Sequence, residues 1–286
     1  MLRVLSLFAG IGGFDLGLER TGGFKTVAFC EIDKKAQAVL RKHWPEVPCF
    51  ENVQTLTAGQ LIAAGIFPDA IAAGFPCPDI STAGRGAGIH GERSGLFFEI
   101  IRLVREFAEL GHQIKLLLLE NVAALLSRGL GDVLGALAAI GFNAWWDCIP
   151  ASALGARHRR DRIWIVAYPE SELWHGRGRG AELAGRDEPA NGGEALAYAF
   201  GERQPRQGTS GLAGDPEAHG EGQAADALDG RLGSIWAVEP PVGRVANGVP
   251  GRVDRLKQLG NAVVPQIPEL IGRAILASIE AERIAA

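Results

Sequence analysis

Long apolar runs, paired cysteines and a dominant sign of charge are all missing from this 286-residue chain. No stretch approaches the roughly 20 apolar residues that a helix needs to cross a bilayer, so a soluble protein with no membrane partner is expected. The opening MLRVLSLFAG has the length of a short signal sequence. Asp15 and Glu19 follow it, however, with a glycine-rich turn between and no small-residue cleavage site, so it reads as a buried strand. The cysteines, Cys30, Cys49, Cys77 and Cys148, are scattered and form no CxxC pair. That excludes a zinc ribbon or a disulfide framework and points to a reducing, cytoplasmic setting in which a thiol can be a nucleophile. A net charge of −4 argues against coating nucleic acid by bulk attraction. It leaves room for a local basic cleft, and Arg157-His158-Arg159-Arg160-Asp161-Arg162 is one.

Up to about Pro169, short apolar runs alternate with amphipathic segments. Val4–Phe8, Thr26–Cys30, Ala70–Ala73, Lys115–Leu119, Ala144–Ile149 and Arg162–Ala167 have the composition of strands. Lys34–His43 and Gly95–Leu110 have helical periodicity, the latter through Leu96, Ile100, Leu103, Val104 and Phe107. This alternation predicts an α/β fold with a doubly wound, mostly parallel sheet covered on both faces. From about Glu170 to Ala237 the periodicity gives way to Gly, Arg, Glu and Ala. That composition suits a poorly ordered insertion as well as a small irregular lobe. Ile267–Ala285 then reads as a closing helix that packs back on the first part. The expected division is 1–169, 170–242 and 243–286.

Four constellations carry chemistry. The first, Leu5-Ser6-Leu7-Phe8-Ala9-Gly10-Ile11-Gly12-Gly13, is a strand running through a glycine turn into a helix, where backbone N–H groups can approach an anionic group. It lacks the full GxGxxG dinucleotide fingerprint. Glu31, about twenty residues on, stands where an acid binds ribose hydroxyls, so the pair suggests a nucleoside-bearing ligand without naming it. The second is Gly74-Phe75-Pro76-Cys77-Pro78. A lone cysteine is most often a buried structural one, but two flanking prolines and the Gly/Ser/Arg loop Thr82–Ser94 favour an exposed, aimed thiol. The third, Glu120-Asn121-Val122, follows an apolar strand. It offers either a capping acid or a desolvated carboxyl whose pKa rises toward neutrality. The fourth is the basic run itself, with Arg160 and Arg162 one residue apart and suited to phosphate or base oxygens.

In this order the motifs resemble those of the DNA cytosine C5-methyltransferase family. Phe8–Gly13 is similar to its cofactor motif, Pro76-Cys77 to its nucleophile motif and Glu120-Asn121-Val122 to its ENV motif. His158-x-Arg160-x-Arg162 is similar to QxRxR, and Leu259-Gly260-Asn261-Ala262-Val263-Val264-Pro265 to the closing GNAVxP. The resemblance covers about residues 1–169 and 243–280. It departs at His158, where the family usually has Gln, at Pro78, where Gln often follows the cysteine, and at Asn52-Val53, where an adenine-contacting Asp is usual.

The resemblance implies a class I S-adenosylmethionine-dependent methyltransferase fold with residues 170–242 as a target-recognition lobe. It also implies a catalytic set of Cys77, Glu120, Arg160 and Arg162, in which Cys77 attacks C6 of a flipped-out cytosine while Glu120 engages N3. Arg162 would contact the base and help lower the thiol pKa. S-adenosyl-L-methionine would lie against Phe8, Ala9, Gly10, Gly12, Gly13, Glu31, Ile32, Asn52, Val53, Pro76, Asn261, Ala262 and Val263. Ser81, Arg85, Arg93 and His158 would touch DNA. Double-stranded DNA is the implied partner, a monomer the implied state, and a cognate restriction endonuclease a possible companion. Three other readings remain: a tRNA cytosine methyltransferase, a non-catalytic DNA-binding relative, and a nicotinamide-dependent oxidoreductase. The last has no use for Pro-Cys or Glu-Asn-Val.

Overall fold

A computed structural model describes residues 1–76, 94–156, 160–170, 259 and 262–285. Within them lie strands β1 (Leu2–Leu7), β2 (Phe24–Cys30), β3 (Cys49–Phe50), β4 (Ala70–Gly74), β5 (Leu116–Val122), β6 (Phe142–Pro150) and β7 (Asp161–Pro169). The helices are α1 (Gly13–Arg20), α2 (Lys34–His43), α3 (Ala58–Ala63), α4 (Phe97–Glu109), α5 (Leu125–Arg128), α6 (Leu130–Ala138) and α7 (Gln266–Ala285). The strands form one sheet in the order β3-β2-β1-β4-β5-β7-β6. β1 to β5 pair in parallel, and β7 runs antiparallel to both β5 and β6. Among the described residues no helix is long and apolar enough to cross a membrane.

Both faces of this sheet are dry, which explains the unbroken apolar runs. Successive residues of a strand point to opposite faces. Leu117 and Leu119 of β5 join Ile71 and Ala73 of β4 beneath Phe97, Ile100 and Phe107 of α4. Leu116 and Leu118 join Ala70 and Ala72 under Phe14 and Leu18 of α1 and Ile267, Ile271 and Ile275 of α7. The chain crosses outward in one direction from β1 through β2 to β3 and in the other from β4 to β5. The crevice between the C-terminal ends of β1 and β4 is therefore the switch point at which parallel sheets bind ligands.

Two departures from the expected boundaries bear on the site. β5 does not stop at Leu119 but continues through Glu120-Asn121-Val122, because antiparallel β7 supplies partners out to Val122↔Arg162. β3, only two residues long, had no periodic signal to reveal it.

α7 docks on α1 through glycines. A Cβ on Gly17 would lie 2.1 Å from the Pro265 carbonyl oxygen, and one on Gly272 would be 3.0 Å from the Thr21 methyl and 3.2 Å from Leu18. Beneath the glycine turn, Asp15 of α1 is fully buried and accepts hydrogen bonds from Ser6 Oγ and Thr26 Oγ1, each at 2.9 Å. Burial pushes its pKa up to about 6 from the ordinary 3.8, against the opposing effect of those two hydroxyls.

Because the folded state holds this proton more tightly than the unfolded chain, the stabilisation from protonated Asp15 is complete below about pH 4. It is lost as pH rises through about 6. The loss is about 3 kcal/mol. Unfolding of wild type and Asp15→Asn by denaturant across this range should show the difference between them (wild type minus variant) falling by about that amount from pH 4 to 7. A difference independent of pH would place the Asp15 titration elsewhere.

Candidate active site

The glycine turn is held by a carboxylate. Phe8 and Gly10 adopt left-handed φ values of 54° and 55°, which reverses the chain at the end of β1. The Gly10 N–H then donates to Glu31 Oε2 at 2.7 Å. Glu31 Oε1 accepts the Asp33 N–H at 2.8 Å, and Asp33 caps α2 by accepting from the Lys35 and Ala36 N–H groups. One carboxylate thus joins the β1–α1 turn to the β2–α2 turn, and each oxygen keeps a lone pair for a further donor.

Beside it Ile32 is 72 % exposed, an apolar side chain left on the surface at the rim of the crevice. Trp44 closes the far side of the turn. Its ring would be 2.5 Å from a Cβ on Gly12, and its indole N–H donates to Glu19 Oε2. A Cβ on Gly10 would meet nothing within 4 Å, so the turn opens onto free space there.

The second half of the crevice is built on β4, β5 and β7. Gly74 pairs with Glu120 across β4 and β5, and a Cβ on Gly74 would sit 3.3 Å from Glu120 Oε2. Arg162, at the start of β7, places Nε 2.8 Å from Glu120 Oε1, both side chains being largely buried. Burial pushes the Glu120 pKa above the usual carboxylate range, while the Arg162 and Arg160 charges and the Arg162 hydrogen bond oppose it. A carboxyl balanced in this way can exchange a proton with a bound base. Asn121, next in the strand and 3 % exposed, donates from Nδ2 to the Phe75 carbonyl at 3.0 Å and accepts the Val122 N–H at 2.8 Å. It fixes the backbone at Phe75 that leads into Pro76.

The structure brings Phe8, Ala9, Gly10, Gly12, Gly13, Glu31 and Ile32 together on the β1–β2 side. Pro76, Glu120, Arg160 and Arg162 gather on the β4–β5–β7 side, with Ala262 and Val263 bridging back to α1. Phe8 is half-buried against the α4 face of the core, and Ala9 N–H donates to the Cys30 carbonyl. Asn52 accepts the Gln54 N–H at Oδ1. The Val53 side chain is buried in the core and its carbonyl accepts from Arg102 Nη2.

Arg162 pairs with Glu120. Cys77, Ser81, Arg85, Arg93, His158, Asn261 and most of 170–242 lie outside the described residues. The site residues that the sequence did not single out are Asn121 and Gly74. Asn121 stood in plain view within Glu-Asn-Val, but its bond to Phe75, just past the end of β4, has no signature along the chain.

The family profile described as C-5 cytosine-specific DNA methylase matches residues 2–190. Type II methyltransferase M2.BsuMI of Bacillus subtilis (strain 168) is 35% identical over 170 residues, covering 58% of this chain and 42% of that protein. Type II methyltransferase M.CviJI of Paramecium bursaria Chlorella virus IL3A is 36% identical over 171 residues, with the same shares of 58% and 42%. The chain spans less than half the length of these two relatives. Among solved structures, a Spodoptera frugiperda DNMT2 variant superposes with a TM-score of 0.51 at 20% identity, covering 72% of this chain and 61% of that one. That likeness is one of fold.

The charge balance on Glu120 is directly testable. Replacing Arg162 by Met removes the nearest positive charge and leaves the burial, so the Glu120 carboxyl should titrate at still higher pH than in wild type. Carboxyl-carbon NMR of 13C-glutamate-labelled protein, with Glu120→Gln to assign the resonance, reads this out. A downward or absent shift would show that Arg162 does not set the Glu120 charge.

Proposed function

We propose, on the premise that the chain belongs to the C-5 cytosine-specific DNA methylase family, that it transfers a methyl group from S-adenosylmethionine to C5 of a cytosine rotated out of duplex DNA. The observation that carries this reading is the buried Glu120–Arg162 pair. It joins β5 to β7 beside the end of β4 that leads to Pro76, across the crevice from a glycine turn braced by Glu31. The residues fit the donor. Glu31 retains acceptor capacity for ribose hydroxyls, Ile32 offers apolar surface, and the open turn at Gly10 leads to the N-terminus of α1, where a carboxylate is favoured. S-adenosylmethionine supplies an electrophilic methyl group on a sulfonium, which becomes a neutral thioether when the methyl leaves.

The chain's own residues do the rest. Cytosine C5 is a poor nucleophile until the 5,6 double bond is disturbed. Cys77 as thiolate forms a bond to C6, and Glu120 donates a proton or hydrogen bond at N3, so the electron pair displaced from the double bond is available at C5. Arg162 orients the Glu120 carboxyl through the 2.8 Å contact and limits how far burial raises its pKa. After methyl transfer, loss of the C5 proton to a base and departure of Cys77 restore the aromatic ring. The target must leave the stack first, at a cost of a few kcal/mol, because C6 is shielded inside a duplex. The Type II names of the relatives support an extension of this proposal to a restriction–modification setting with a cognate endonuclease.

A transfer assay with tritiated S-adenosylmethionine, unmethylated duplex DNA and tRNA tests the reading. Label is expected in DNA and is expected to fall roughly 10³-fold or more with Cys77→Ser. Label in tRNA alone would replace the substrate, and label unaffected by Cys77→Ser would remove the nucleophile from its role.

A further inference from the structure

Arg160 is placed to do something other than touch a base. It stands immediately before β7 with φ at 40°, a left-handed conformation unusual for a residue with a side chain and one that surrounding contacts have to hold. Its Nη2 donates at 2.6 Å to the carbonyl of Ala262, from the far end of the chain. The segment that begins at Ala262 lies backbone-on-backbone against α1. A Cβ on Gly13 would be 2.4 Å from the Val263 carbonyl oxygen, and one on Gly17 would be 2.1 Å from that of Pro265. Gly13 is the last residue of the glycine turn. Arg160 is also close enough to Glu120 and Arg162 for its charge to act on both, favouring the Glu120 carboxylate and opposed by Arg162. One side chain therefore hydrogen-bonds the segment that walls the glycine turn, stands two residues from the Arg162 that pairs with Glu120, and adds its charge on the opposite side of the crevice.

We infer that Arg160 is a positioning residue that couples the seating of residues 262–265 over the glycine turn to the Glu120–Arg162 pair. The inference rests on the reading of that turn as the S-adenosylmethionine site. Arg162 acts on the carboxyl at its surface of contact with the base, whereas Arg160 ties that carboxyl to the wall of the donor site. A ligand that orders 262–265 strengthens the Arg160–Ala262 hydrogen bond and fixes the guanidinium beside Glu120. By linkage, a fixed guanidinium favours the seated segment.

Binding of S-adenosylhomocysteine by calorimetry and amide hydrogen exchange of residues 262–267 separate this role from direct contact with nucleic acid. Arg160→Ala is expected to weaken S-adenosylhomocysteine by about tenfold or more, as loss of a charged donor to a carbonyl should, and to speed exchange across 262–267 in the ligand-free protein. Arg160→Lys, which keeps one charged donor, should recover much of both. Arg162→Ala should bind S-adenosylhomocysteine within about threefold of wild type while losing methyl transfer.

Wild-type binding and wild-type exchange in Arg160→Ala would overturn the inference, and an accompanying loss of DNA affinity would assign Arg160 to the nucleic acid. Should wild type itself not bind S-adenosylhomocysteine, the donor reading of the turn fails, and the hydrogen-exchange comparison still decides whether Arg160 seats the segment. Should Arg160→Ala not fold, Arg160→Met, which keeps the stem and removes the donor, carries the test. Ligand affinity and exchange both unchanged in Arg160→Met would leave the Ala262 hydrogen bond without the proposed role.

Discussion

A carboxyl group buried at the edge of a sheet must be neutral or paired, and the way Glu120 meets that requirement organises half of this molecule. A parallel strand beside β5 would end, like β5 itself, at the ligand edge with its C-terminus. β7 runs the other way, so its first residues arrive there, and Arg162 lands against Glu120. The same pairing extends β5 through Asn121, whose amide holds Phe75 and with it the approach to Pro76. Ion pairs of this kind contribute little net stability, since desolvation offsets the attraction. Their presence in a crevice is better accounted for by the charge they place there. Burial presses toward protonation and two guanidinium groups press against it, burial being the larger effect, so the carboxyl holds a proton more readily than an exposed one.

The other half depends on close approach of backbones. α1 presents Gly13 and Gly17 toward residues 263–265, and α7 presents Gly272 in return. The closing segment can therefore lie on the helix that begins in the glycine turn, and its carbonyl at Ala262 comes within reach of Arg160. Glu31 makes the matching connection on the other flank by joining the first and second strand-to-helix turns through two N–H groups. The two halves of the crevice are thus joined by short polar bridges over a sheet whose apolar packing fixes their separation. A nucleophile supplied next to Pro76 and a methyl donor on the glycine turn would face one another across it.

Much of this was legible along the chain. The four-leucine strand, the glycine turn and the Lys34–His43 helix announce themselves because burial on both faces, tight reversal and amphipathic period leave marks on neighbouring residues. What the chain does not announce is contact between distant residues. Glu120 ended an apolar run and so read as the residue after a strand; only its antiparallel partner keeps it inside one. The bond from Arg102 to the Val53 carbonyl, across 49 residues of sequence, has no signature along the chain. Nothing beside Asp15 in the sequence marks it as buried, yet Ser6 and Thr26 from two strands enclose it.

The central claim is that Cys77 bonds to cytosine in a crevice that also holds the methyl donor. Duplex DNA carrying 5-fluorocytosine tests it most directly, because the ring then has no C5 proton to lose and the bond to the enzyme cannot be released after methyl transfer. Incubation with S-adenosylmethionine should give a denaturation-resistant complex, and mass spectrometry should locate the DNA on the peptide containing Cys77, with no complex when the donor is left out. No complex under any condition, or attachment at Cys30, Cys49 or Cys148, would contradict the account.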